Sequence, residues 1–199
     1  METEKLTQKI IKGIFVELEA SGRHVHVSRE QAQILFGHDL TPARPLSQPG
    51  QYLAQERVTV KGPKGEFQNV AVLGPARGCA QVEISLTDGK TLGIAPPVRL
   101  SGDVKDTPGA ELIGPMGSIT IPEGVIAAKR HIHITPKDAK HFKVKDKQIV
   151  RLQTFTDRPV VFEDVVVRVS EDFETFVHLD YDEANACGFQ RGDLGRILL

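Results

Sequence analysis

Apolar positions along the chain switch between two periods, and the switches divide it into short elements. Leu6, Ile10, Ile11 and Ile14 recur at three- and four-residue spacing with lysines between them, which predicts an amphipathic helix over 3–15. A helix this short is marginal alone, so it either caps the fold or docks the protein onto a partner. Apolar and polar residues alternate from Val16 to Ala20, a strand leading into Arg23-His24-Val25-His26-Val27-Ser28. Ser28 and Gln31 have the spacing of a capping box and predict a helix over 29–36. Turn signals at 47–50 and 62–65 bracket a strand over 57–61, and further strands are predicted over 67–73 and 80–85. A second histidine strand meets Thr135 and Pro136, the cap and first position of another short helix. Strands over 148–154, 160–169 and 175–179 follow. With 18 Gly and 12 Pro scattered among β-branched runs, the pattern describes a mainly β protein.

The pattern also repeats. Arg130-His131-Ile132-His133-Ile134-Thr135 matches the first histidine stretch at an offset of 107, and Phe67 to Val72 matches Phe162 to Val167 at an offset of 95. Gln81-Val82-Glu83-Ile84 falls on Phe176-Val177-His178-Leu179 at that same offset. The difference places about twelve additional residues in the first half, around His38 to Gly50. Such a repeat implies a duplicated pair of small antiparallel β-barrels capped by short helices. The expected divisions are 1–15 for the N-terminal helix, 16–128 for the first repeat and 129–199 for the second, with strand 16–22 free to pair into the second barrel.

Composition narrows the function. A net charge of −1 leaves no basic surplus for nucleic acid or an anionic membrane surface, so no nucleic acid and no membrane is expected among the partners. No apolar run approaches the roughly 20 residues that span a bilayer, and no signal peptide is evident. Cys79 and Cys187 lie far apart without a CxxC, which fits a reducing, cytoplasmic setting.

On a strand, residues i and i+2 share a face, so each His-x-His aims two imidazoles to one side. The repeat adds Glu83 to His24 and His26, and His178 to His131 and His133. Three such donors suit a catalytic zinc, which keeps a position open, whereas structural zinc sites usually take four ligands and favour Cys. Arg77 lies six residues before Glu83 in a Gly/Pro-bounded turn, where the second half has Asp172. Its planar guanidinium suits a phosphate clamp. Ser101 and Asp103, in a Gly turn, read as turn chemistry.

Nine islands in order carry a resemblance over essentially the whole chain: 22–28, 48–52, 62–65, 73–75 with Arg77, 81–85, 92–94, 101–102, 130–133 and 182–186. In these stretches the sequence resembles the phosphate propanoyltransferase family, the PduL-type phosphotransacylases. The resemblance implies two small β-barrels, two Zn2+ per chain, and reversible acyl transfer between coenzyme A and phosphate. It assigns His24, His26 and Glu83 to one zinc, His131, His133 and His178 to the other, and Arg77 to phosphate. Coenzyme A contacts fall on Ala20, Ser21, Gly22, Lys64 and Asn185; a further basic contact of the family falls on Ala71. Expected partners are acyl-CoA, phosphate, a second copy in a homodimer, and microcompartment shell or cargo through the N-terminal helix. The expected reaction is direct attack of phosphate on the thioester, with one zinc at the sulfur and the other, with Arg77, at the phosphate. Two other readings use the same residues: a dinuclear zinc hydrolase of thioesters or phosphoesters, and a zinc-stabilised β protein acting in assembly.

Overall fold

The computed structural model describes residues 7, 11 and 13–199. The helix expected over 3–15 lies largely outside the described residues. In chain order the strands are β1 (Val16–Ser21), β2 (His24–His26), β3 (Pro42–Pro45), β4 (Tyr52–Lys61), β5 (Glu66–Gly74), β6 (Gln81–Glu83), β7 (Val98–Arg99) and β8 (Ala110–Ile113). They continue as β9 (Ser118–Ile121), β10 (Val125–Ala128), β11 (His131–Ile134), β12 (Ile149–Phe155), β13 (Val161–Val169), β14 (Phe176–Asp180) and β15 (Leu194–Leu198). Four short helices are described: α1 (Arg29–Phe36), α2 (Leu86–Leu92), α3 (Pro136–Phe142) and α4 (Tyr181–Cys187).

The chain forms two compact units, Gly22–Lys129 and the remainder from Arg130 to Leu199 together with the residues up to Ser21. In the latter, β1-β14-β11-β13-β12-β15 closes into a six-stranded barrel, because β15 pairs antiparallel with both β1 and β12. Val16, Leu18, Ile132, Ile134, Leu152, Val167, Val177 and Leu179 fill it. In Gly22–Lys129 a nine-stranded sheet runs β7-β10-β6-β2-β5-β4-β8-β9, with β3 attached to β4. Register shifts along β4 mark bulges, which bend a strand and tighten its twist. Its core includes Val25, Val27, Leu35, Val72, Val82, Leu92 and Leu112.

Two expectations change. The sheets are mixed rather than antiparallel, since β2 with β5, β6 with β10, β11 with β13 and β1 with β14 all run parallel. Parallel neighbours need a crossover, and a helix plus one or more strands supply it between β2 and β5 and between β11 and β13. In addition, one of the two sheets is a closed barrel and the other is the longer nine-stranded sheet, because β4 pairs with β8 where β12 pairs with β15. The additional residues of the first half include β3, which pairs with β4.

Each strand that carries a candidate metal donor runs straight into a helix cap. Ser28 accepts from Gln31 N at 3.2 Å while its own N–H donates to Gln31 Oε1 at 2.8 Å, and Gly37 ends α1 in the left-handed region at φ 78°. Thr135 caps α3, with Pro136 at the first position. Ser85 with Asp88 and Asp180 with Glu183 form capping boxes on α2 and α4. Sequence periodicity missed both of these helices, which have seven residues each. Their Ser-x-x-Asp and Asp-x-x-Glu spacings are the signal that would have found them.

Candidate active site

Strand β2 is buried on both faces. Val25 enters the core while His24 and His26 point together to the other side, their ring centroids 5.0 Å apart. Antiparallel pairing with β6 sets Glu83 opposite His24 and Gln81 opposite His26. His24 Nε2 is 3.6 Å from Glu83 Oε2. His24 Nδ1 donates to Gly22 O at 2.8 Å and His26 Nδ1 to Leu73 O at 3.3 Å. A carbonyl only accepts, so these contacts put hydrogen on Nδ1 and leave both Nε2 atoms for a ligand, the usual outer support of metal-binding histidine.

The electrostatics suit a cation. Burial and the charges of His24 and Arg77 lower the pKa of His26 to about 3, keeping it neutral. Burial opposes charge on His24, but the Glu83 carboxylate and the Gly22 carbonyl outweigh it and raise its pKa. Burial likewise opposes charge on Glu83, yet His24 and hydrogen bonding, including one from Ser101, hold its pKa below the ordinary range. A buried carboxylate thus faces an imidazole that takes up a proton where a cation would sit. The three donor atoms lie within 4.8 Å of one another. Zinc–nitrogen bonds of about 2.0–2.1 Å draw such donors together with small side-chain shifts.

In the barrel, antiparallel β11 and β14 place His131 opposite His178 and His133 opposite Phe176. His133 Nδ1 and His178 Nε2 are 3.1 Å apart, and His178 Nδ1 is 3.6 Å from Glu19 Oε2 on the adjoining β1. The three donors again lie within 4.8 Å. The ring of Phe173 covers His133 at 4.0 Å between centroids. Both sets fit zinc by donor chemistry: imidazole nitrogens, with or without one carboxylate, and among the described residues no fourth His, Cys, Asp or Glu joins either set.

Arg77 belongs with the first set. Its backbone N–H donates to Val27 O at 2.9 Å, fixing the 74–78 turn against the end of β2, and its Nη1 donates to Ser101 Oγ at 3.2 Å. Its charge opposes protonation of both His24 and His26.

A profile of the phosphate propanoyltransferase family matches residues 17–190. The phosphate propanoyltransferase of Clostridioides difficile is 51% identical over 197 residues, covering 98% of this chain and 94% of its own. That of Listeria monocytogenes is 52% identical over 197 residues, with 98% and 92% covered, and that of Thermotoga maritima 55% over 177, with 87% and 84% covered. The chain belongs to the phosphate propanoyltransferase family. It is accordingly an enzyme of the phosphotransacylase class.

Of the residues that the resemblance links to coenzyme A in this family, Ala20 and Ser21 pair with Leu179 and Asp180 at the end of β14. Asn185 is exposed on α4, the helix that starts there and packs near β1, so these three gather at one end of the barrel. In the other unit, Gly22 supplies the carbonyl that orients His24. Lys64 is exposed in the β4–β5 turn, its N–H bonded to Leu92 O at 2.9 Å. Sequence reading missed Gln81, although it lies two residues from Glu83 and therefore on the same face. It took Ser101 for turn chemistry alone. No described helix is long and apolar enough to cross a membrane.

Proposed function

We propose that the chain is a zinc-dependent phosphate acyltransferase that moves a short acyl group, propanoyl or acetyl, reversibly between coenzyme A and phosphate. The observation that carries this reading is the first set: two oriented imidazoles and a carboxylate beside a guanidinium. His24, His26 and Glu83 would hold one zinc ion, and His131, His133 and His178 a second. Bound zinc supplies Lewis acidity for the reacting carbonyl, thiolate and phosphate groups.

Arg77 binds and orients phosphate, presenting paired N–H donors to its oxygens. Ser101 holds that guanidinium, and the turn bonded to Val27 keeps it beside the histidines. A phosphate oxygen attacks the thioester carbonyl, the C–S bond breaks, and the proton lost from phosphate is carried by the coenzyme A thiol. The product is acyl phosphate, and no covalent acyl-enzyme is required. His26, held neutral by burial, keeps its Nε2 lone pair throughout. Coenzyme A is assigned to Ala20, Ser21, Gly22, Lys64 and Asn185.

The two units descend from one duplicated β unit, supported by the matching order of His-x-His strand, helix, two antiparallel strands, third-donor strand and helix. Asn69 and Asp164, 95 residues apart, share a φ of 57°. The enzyme works as a homodimer in the cytoplasm or within a microcompartment, and the stripe of residues 3–15 serves either as a cap on the fold or as a docking face for microcompartment shell or cargo. Ile14, at the end of that stripe, is exposed.

A steady-state assay tests the reaction. Acyl-CoA and phosphate are expected to yield free thiol together with acyl phosphate that hydroxylamine traps, at a rate that saturates with phosphate. Thiol release without phosphate dependence and without a trapped product would establish a hydrolase instead.

A further inference from the structure

Gln81 has no role in the chemistry described so far, yet it is 3% exposed, and its amide nitrogen and its amide oxygen both find partners within the site. Its Nε2 donates to Glu83 Oε1 at 2.5 Å and to Ser101 Oγ at 2.8 Å. Its Oε1 accepts from Gly102 N at 2.7 Å. The backbone N–H of Gly102 can only donate and the Glu83 carboxylate accepts, so the two contacts fix which end of the amide faces which neighbour. Ser101 is equally committed. Its oxygen accepts from Arg77 Nη1 and Gln81 Nε2, and its single hydrogen is left for Glu83.

We infer that Gln81 is a positioning residue that locks Glu83 and, through Ser101, Arg77 into one constellation. By occupying Oε1 it leaves Oε2 turned to His24 Nε2, so that the carboxylate offers one oxygen to a cation instead of two. By holding Gly102 and Ser101 it anchors the turn against which the guanidinium rests. Metal retention in the first set and phosphate recognition by Arg77 therefore depend on the same amide. The barrel has no counterpart, since Phe176 stands opposite His133 where Gln81 stands opposite His26. The effect is thus confined to one of the two donor sets. This inference rests on the proposed zinc and phosphate chemistry.

Gln81→Met keeps the volume and removes the donors, and Gln81→Glu keeps the shape but places a second carboxylate against Glu83. Zinc binding is read in metal-buffered titrations of each variant, in the wild-type background and in His131→Ala, which retains only the first donor set. Both Gln81 variants are expected to need roughly 10- to 100-fold more free zinc to fill the first set, as for other lost outer-shell partners, with the second set unchanged. The KM for phosphate is expected to rise about tenfold while that for acyl-CoA stays within about twofold, a split that a general loss of structure would not produce. Ser101→Ala, in a half-buried turn, is expected to reproduce the phosphate effect. Wild-type zinc retention together with wild-type phosphate KM in both Gln81 variants overturns the inference while leaving the acyltransferase reading intact. Equal weakening at both sets and for both substrates also overturns it, as the role would then be structural. If the wild-type protein binds no zinc, the zinc reading itself fails and this inference falls with it.

Discussion

Arg23 grips Asp88 through two hydrogen bonds, Nη2 to Oδ1 at 2.7 Å and Nε to Oδ2 at 3.1 Å. Asp88 is also the third residue of α2 and the partner of the Ser85 cap. The bond therefore ties the residue ahead of the first His-x-His strand to the helix that follows Glu83. Arg130 does the same with Glu183, the capping-box partner of Asp180 behind His178. Both guanidinium groups lie over a phenylalanine, Arg23 over Phe67 at 4.1 Å and Arg130 over Phe162 at 5.8 Å. These arginines, repeated ahead of each histidine strand, hold each donor set from outside.

Arg23→Ala is expected to strand a nearly buried carboxylate. Asp88 keeps its capping bonds and Arg23 is itself partly exposed, so the cost should be about 2 kcal/mol, below that of breaking a fully buried pair. Urea unfolding monitored by circular dichroism measures it. Restoring stability with Arg23→Ala/Asp88→Ala would assign the loss to the stranded charge.

Metal removal should separate the two donor sets. His131→Ala is expected to lower zinc content from two ions per chain to one, corresponding to the two clusters, and to abolish nearly all turnover while the chain stays folded. Elemental analysis and a thermal melt check both halves of this expectation. Chelation of the wild-type enzyme should abolish turnover, and added zinc should restore it.

Arg77→Ala is expected to reduce kcat/KM for phosphate by roughly 30- to 1,000-fold, about 2–4 kcal/mol of transition-state stabilisation. Initial rates with phosphate varied at saturating acyl-CoA test this. A collapse confined to acyl-CoA affinity would remove Arg77 from the phosphate site. Arg77→Lys should recover only part of the loss, because an ammonium lacks the planar pair of donors.

Stability of the zinc-free protein should peak at mildly acidic pH. His26 has a folded pKa of about 3 against an ordinary 6.5, so its contribution is lost as pH falls from about 6.5 toward 3. Glu83, also lowered, contributes above its ordinary 4.5 and loses that contribution as pH falls through its folded value. His24 is raised, so its contribution is complete below 6.5 and fades as pH rises through its folded value. The melting temperature of chelated protein is therefore expected to be highest at about pH 6.5, where the opposing His26 and His24 contributions balance, and to fall on both sides. With zinc bound the alkaline fall should disappear, because the metal takes the place of the His24 proton. Thermal melts from pH 4 to 9, with and without zinc, check both limbs.

Local features were legible because a few neighbouring residues encode them. The two-residue period showed that His24 and His26 share a face, and Ser28 with Gln31 marked the start of α1. The offset of 95 linked Glu83 with His178, and the structure brings each beside its own pair of histidines. Helices α2 and α4 escaped because seven residues hold too little periodicity, although their caps were written in the sequence.

Which strand lies beside which was decided by tertiary structure. Alternation places residues on a face but is silent about neighbours, so β1 could not be assigned to β14 and β15, nor β11 to a parallel partner, before the units packed. The closed barrel depends on β15 meeting both β1 and β12, a condition on the whole sheet. The surroundings of the first donor set have the same origin. Ser101 reaches Arg77 and Gln81 across 24 and 20 residues of chain, and Asp88 reaches Arg23 across 65. The sequence alone determined which residues can serve as metal donors and which way each strand turns them, because side-chain direction follows from local backbone geometry. Only the packed chain decided what orients them, because hydrogen-bond partners so distant in sequence become neighbours when the sheets form.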